Sequence, residues 1–72
     1  MQIERLVVMA NQIADYFAAE PDRQEAIAGA AGHLRRFWDP RMRKQIVDHF
    51  HDSGEGLNEI AREAVARLAQ SR

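Results

Sequence analysis

Cysteine is missing from the chain. Its absence removes disulfides, thiolate catalysis, iron–sulfur ligation and cysteine-based zinc sites. Threonine is missing too, and serine occurs only as Ser53 and Ser71, so nucleophilic catalysis has almost no hydroxyl or thiol to activate. No apolar run approaches the roughly 18 residues of a membrane span. The start carries no signal-peptide pattern, and the cytoplasm is the expected location. A positive excess is also lacking: 10 Lys and Arg stand against 11 Asp and Glu, a net charge of −1. A dedicated nucleic-acid binder is normally clearly basic. No alternating strand pattern, internal repeat or low-complexity tract is present.

What is present is alanine. Apolar residues make up 46% of the chain, but twelve of them are alanine. Seventy-two residues make one domain, residues 1–72. A chain of this size buries about 60% of its extended surface, and burial nearly cancels against chain entropy. A marginal lone domain, an oligomer and a subunit of something larger all remain open.

Four amphipathic segments follow from the 3.6-residue period. In segment 2–19, Ile3, Leu6, Val7, Ala10, Ile13, Ala14 and Phe17 share one face. Met9 and Tyr16 lie at its edge, and Val8 points among polar residues. Asp22 with Glu25 matches a capping box that starts segment 22–38; a start at Pro21 is the alternative. Ile27, Ala30, Ala31, Leu34, Phe37 and Trp38 form its stripe. Gly29 and Gly32 inside this helix cost about 1 kcal/mol each against alanine. Close approach of the first helix, or of a helix from another protein, would offset that. Segment 40–52 places Met42, Ile46 and Phe50 in one stripe with Val47 beside it. Ser53-Gly54-Glu55-Gly56 is the loop, and Asn58 or Gly56 caps segment 57–70. Gln70, Ser71 and Arg72 are expected to fray. The fold expected is a compact all-α domain of four short helices, with consecutive helices packed as neighbours. Its expected core is Phe17, Leu34, Phe37, Trp38, Ile46, Phe50, Ile60 and Leu68.

Catalytic and metal-binding sets are poor. His49 and His51 are two apart and point away from each other, where a helical metal pair needs i, i+4. Asp48 and Asp52 have that spacing but no partnering histidine. The glycine loop lacks the Lys and Ser/Thr of a phosphate-binding loop. No catalytic, cofactor-binding or metal-ligating residue is assigned.

The run His33-Leu34-Arg35-Arg36-Phe37-Trp38-Asp39-Pro40-Arg41-Met42-Arg43 is the unusual stretch. Asp before Pro starts a helix, so Trp38 falls at a corner. Arg35, Arg36, Arg41, Arg43 and Lys44 put five of ten positive charges into ten residues. As ordinary solvated charges they need no partner. As a patch with Trp38 they have the composition of an interface hot spot. A helix-turn-helix reading would make 40–52 a recognition helix with Arg41 and Arg43 at base edges. Asp48, Asp52 and the net charge oppose it. Self-association through the alanine-glycine face is a third possibility.

Met9-Ala10-Asn11-Gln12-Ile13, Pro21-Asp22-Arg23, the 33–43 run and Gly54-Glu55-Gly56-Leu57 resemble the small delta subunit of the NAD-dependent, molybdenum-containing formate dehydrogenases. The Arg-Phe-Trp-Asp-Pro-Arg-Met-Arg run is the specific part. The resemblance implies a cytoplasmic bacterial complex that oxidises formate to carbon dioxide and reduces NAD. It places the molybdenum–pterin cofactor, iron–sulfur clusters, flavin and NAD in partner subunits and none in this chain. It implies a non-catalytic accessory subunit held against the large catalytic subunit in support of assembly or stability. Arg35, Arg36, Trp38, Arg41, Arg43 and Lys44 are the expected partner contacts. No membrane is involved, nucleic acid is the lesser alternative, and the isolated chain has the option of pairing with itself.

Overall fold

Three helices begin where the residue ahead of them offers a side-chain oxygen to the free N–H groups of the first turn. In the computed structural model, which describes residues 2–70, the helices are α1 (Ile3–Phe17), α2 (Arg23–Phe37), α3 (Pro40–Asp52) and α4 (Glu59–Gln70). The Asp22 carboxylate accepts from Gln24 N–H at 2.9 Å and Glu25 N–H at 3.4 Å. The reciprocal half of the expected capping box is supplied from the other direction: Asp22 N–H donates to Glu20 Oε1 at 3.2 Å. Asp39 accepts from Met42 N–H at 2.9 Å, ahead of Pro40 in the first turn of α3. Asn58, rather than Gly56, starts α4 by accepting from Ala61 N–H at 2.9 Å. The helix starts at 22, 39 and 58 are therefore local chemistry. The fraying expected at Ser71 and Arg72 lies outside the described residues, while Gln70 is still helical.

The core takes one large, fully buried side chain from each helix: Leu6, Leu34, Ile46 and Val65. Each contributes about 1.5–3 kcal/mol of burial. Alanines at 10, 14, 30, 31, 61 and 64 are buried between them and let the helix axes come close. α4 is the shared element, packing on α1, α2 and α3. α1 also meets α2 and α3.

Two expectations are corrected. α2 and α3 are joined by Trp38 and Asp39 alone, yet they scarcely touch. Both linking residues are extended, with ψ 138° at Trp38 and 166° at Asp39. The corner turns α3 away, and Trp38, only 6% exposed, closes its inside. The second correction is Phe37, expected in the core and found 69% exposed. Only one of two adjacent aromatic residues can face inward where the helix ends, and Trp38 is that one. Leu34, Trp38, Ile46 and Leu68 are buried as expected, and Phe17, Phe50 and Ile60 are partly buried against the core. Val8 is exposed, as its polar neighbours imply.

The α3–α4 loop is tied down by distant polar groups. Gly54 (φ +67°) and Gly56 (φ +89°) hold left-handed conformations that other residues adopt only with strain. Gly54 N–H returns to the His49 carbonyl at 2.8 Å, and His49 Nε2 lies 2.8 Å from the Glu55 carbonyl. Asn11 of α1 clamps the loop from the side. Its amide donates to the Gly56 carbonyl at 2.8 Å and accepts from Asn58 N–H at 2.9 Å. The Asn58 amide in turn donates to Asp15 at 3.2 Å.

Candidate protein-docking face

The corner residues divide by what already occupies them. Trp38 is buried in the core. It supports the corner from within and presents little surface to a partner. The Arg43 guanidinium donates to the Arg35 carbonyl at 3.1 Å, satisfying one of the free carbonyls at the end of α2. Lys44 pairs with Asp48 one turn along α3 at 2.9 Å, both side chains exposed. Such pairs contribute about 0.3–0.5 kcal/mol. Arg35 and Arg36 sit in the last turn of α2, where positive charge suits the helix dipole. Arg41 lies exposed in the first turn of α3, where the dipole gives its charge no such support. The side chains of Arg35, Arg36 and Arg41 make no hydrogen bond or ion pair among the described residues. Of the two residues that a helix-turn-helix would set at base edges, Arg43 is engaged inside the chain and Arg41 is exposed.

Beside the corner runs an apolar face that the sequence reading had divided between core and edge. Phe37 is 69% exposed and Tyr16 77%. The Phe37 ring lies 4.7 Å from that of His33, and His33 lies 6.3 Å from Phe17. Tyr16 meets Phe17 edge-on at 5.1 Å. Together these rings form a continuous row across α1 and α2. On one side of the row an open groove of about 670 Å³ is lined by Met9, Ile13 and Phe17 of α1, and by His33, Phe37 and Trp38. On the other side a smaller hollow of about 320 Å³ runs along α2 past Gly29, Gly32 and Arg36. The Arg36 guanidinium lies 5.9 Å from the centre of the Phe37 ring, within cation–π range.

The two helical glycines separate here. A Cβ on Gly29 would lie 2.5 Å from Phe17 Cδ1, so close packing of α1 accounts for this glycine. A Cβ on Gly32 would meet nothing within 4 Å. Packing inside the chain does not account for Gly32. Tyr16 and Phe37 were the residues missed as surface. Tyr16 already lay at the edge of the α1 stripe, and Phe37 shares its stripe with Trp38.

Among the described residues, no three His, Asp or Glu side chains gather as a metal site. No helix among the described residues is long and apolar enough to cross a membrane. His49 is engaged with the loop carbonyl and His51 is exposed.

Compared with known proteins, the chain is similar to the family described as NADH-dependant formate dehydrogenase delta subunit FdsD over residues 5–65. No curated protein and no solved structure matches it. The matched stretch contains both the aromatic row and the whole basic corner.

Proposed function

Since the chain belongs to the family of NADH-dependent formate dehydrogenase delta subunits, we propose that it is a non-catalytic accessory subunit of a cytoplasmic complex of that kind. It binds the large, molybdenum-containing subunit and supports assembly or stability of the whole. The chemistry of formate oxidation and NAD reduction, with the molybdenum–pterin cofactor, iron–sulfur clusters and flavin, belongs on this reading to the other subunits.

The observation that supports a binding role is the pairing of Phe37 and Tyr16, two large rings left open to solvent, with arginines whose side chains make no hydrogen bond or ion pair among the described residues. Aromatic rings supply large contact area at low entropy cost, and Tyr and Arg are enriched where interfaces hold tightly. A chain this small gains most from such a contact, because its own core is near the lower size limit for independent stability.

Purification of the tagged full-length chain under native expression tests the proposal. The large subunit and formate-dependent NAD reduction should come with it. Cells lacking the chain should hold less assembled complex. A chain that never associates with a formate-oxidising complex overturns the reading.

A further inference from the structure

We infer that the groove between α1 and α2 receives an acidic amphipathic helix of the partner subunit. Apolar side chains of that helix fill the groove, and its carboxylates meet Arg36. The inference rests on the accessory-subunit reading above and names the chemistry of its contact.

The dimensions suit a helix. On α1 the lining runs from Met9 to Phe17, about 12 Å at 1.5 Å per residue. Two turns of a docked helix, anchored at i, i+3 or i+4, and i+7, cover that length. Phe37 and His33 stand between the groove and the second hollow, which they share. At that second hollow Gly32 leaves the surface of α2 without a side chain, so a backbone can pass close to it.

The charge points to acid. Arg36 borders the second hollow and lies beside the Phe37 ring. Arg35 precedes it, exposed and unpaired among the described residues. No carboxylate lines either hollow. A carboxylate arriving beside an exposed apolar ring meets a guanidinium that holds no competing ion pair. The same charge disfavours a second copy of this chain as occupant. A two-fold pairing sets the patch against itself, and with no carboxylate lining either hollow Arg36 would find no acidic partner there.

Photo-crosslinking in the native complex tests this. A benzophenone side chain is placed in the full-length chain at Phe37, at Tyr16, or at Glu63 on the exposed side of α4 as control. The Phe37 and Tyr16 probes should label one and the same helical segment of a partner subunit, with carboxylates on its polar face. The Glu63 probe should not label that segment. Gly32→Leu, whose Cβ would have no atom of this chain within 4 Å, and Arg36→Glu should each lower recovery of the complex about tenfold, whereas Arg36→Lys keeps most of it. Crosslinks from Phe37 to a second copy of this chain, to a basic or non-helical segment, or to nothing while the chain still co-purifies with the complex overturn the docking inference alone. Failure to co-purify at all overturns the accessory-subunit reading with it.

Discussion

Two polar regions of this small protein are built to opposite rules. At the α3–α4 loop, Asn11, Asn58, Asp15 and His49 are joined in one set of internal hydrogen bonds, with Gly56 and Glu55 carbonyls as acceptors. At the α2–α3 corner Asp39, Arg43 and Lys44 are used that way, while the side chains of Arg35, Arg36 and Arg41 are exposed. The loop has answered its own polar groups and needs nothing further. The corner carries charge beyond what its helix ends require, beside rings the core did not absorb. Saturation, rather than polarity, separates the residues that make the fold from those available to a partner.

Substitutions at the two regions should therefore fall into two kinds. The largest loss of stability belongs to Trp38→Ala. Removing a buried indole costs about 3–5 kcal/mol, enough to unfold a domain this small, and urea denaturation followed by far-UV circular dichroism would register it. A loss under about 1 kcal/mol would mean that the corner does not depend on the indole. Asn11→Ala comes next. It removes the bonds to the exposed Gly56 carbonyl and the part-buried Asn58 N–H, for about 1–2 kcal/mol, and faster amide exchange around residues 54–58 would locate the damage. Asp39→Ala removes one helix cap, for about 1 kcal/mol, measured as a small drop in melting temperature.

The glycines sharpen the comparison because the same substitution should act with opposite sign. Gly32→Ala should stabilise the isolated chain by up to about 1 kcal/mol, since its new methyl meets nothing. Gly29→Ala should destabilise it, because the Phe17 ring must move. Equal effects in thermal melts would erase the distinction between a packing glycine and an interface glycine. The smallest effect on stability is expected from Arg36→Ala combined with Arg41→Ala, within about 0.5 kcal/mol, together with weaker recovery of the complex in a pull-down. An undiminished complex would show these arginines to be solvated surface.

How far the sequence could be read depended on the range of the interaction involved. Asp39 followed by Pro40 declares a helix start within three residues, and the structure has it there. Asp22 was equally legible, its carboxylate capping the Gln24 and Glu25 N–H groups, although its own N–H donates to the Glu20 side chain and not to that of Glu25. Periodicity placed Leu34, Ile46 and Leu68 in the core. It could not choose between Phe37 and Trp38, since both fall within one broad apolar stripe and the choice depends on the direction of the corner. A two-residue link fixes that the ends of α2 and α3 are adjacent, but leaves their angle to the packing of α4. The Asn11 clamp joins residues more than forty apart in the chain, and no local pattern announces it. The aromatic row followed Phe37: once that ring turned outward, a surface took shape that stripe counting had assigned to the interior.

The position of α4 has a consequence for how the protein comes into being. It is the last helix in chain order and the one on which each of the others rests. While the ribosome is still making it, α1 can already meet α2 and α3, but the contacts of all three with α4 are missing and α2 and α3 have almost none with each other. Completion of the core is then expected to wait for residues 59–70, which supply Ala61, Ala64, Val65 and Leu68. At roughly 5–20 residues per second, synthesis of α4 takes about a second. Through that interval the faces that α4 covers stand open, and a ribosome stalled ahead of Glu59 would hold a chain with an incomplete core.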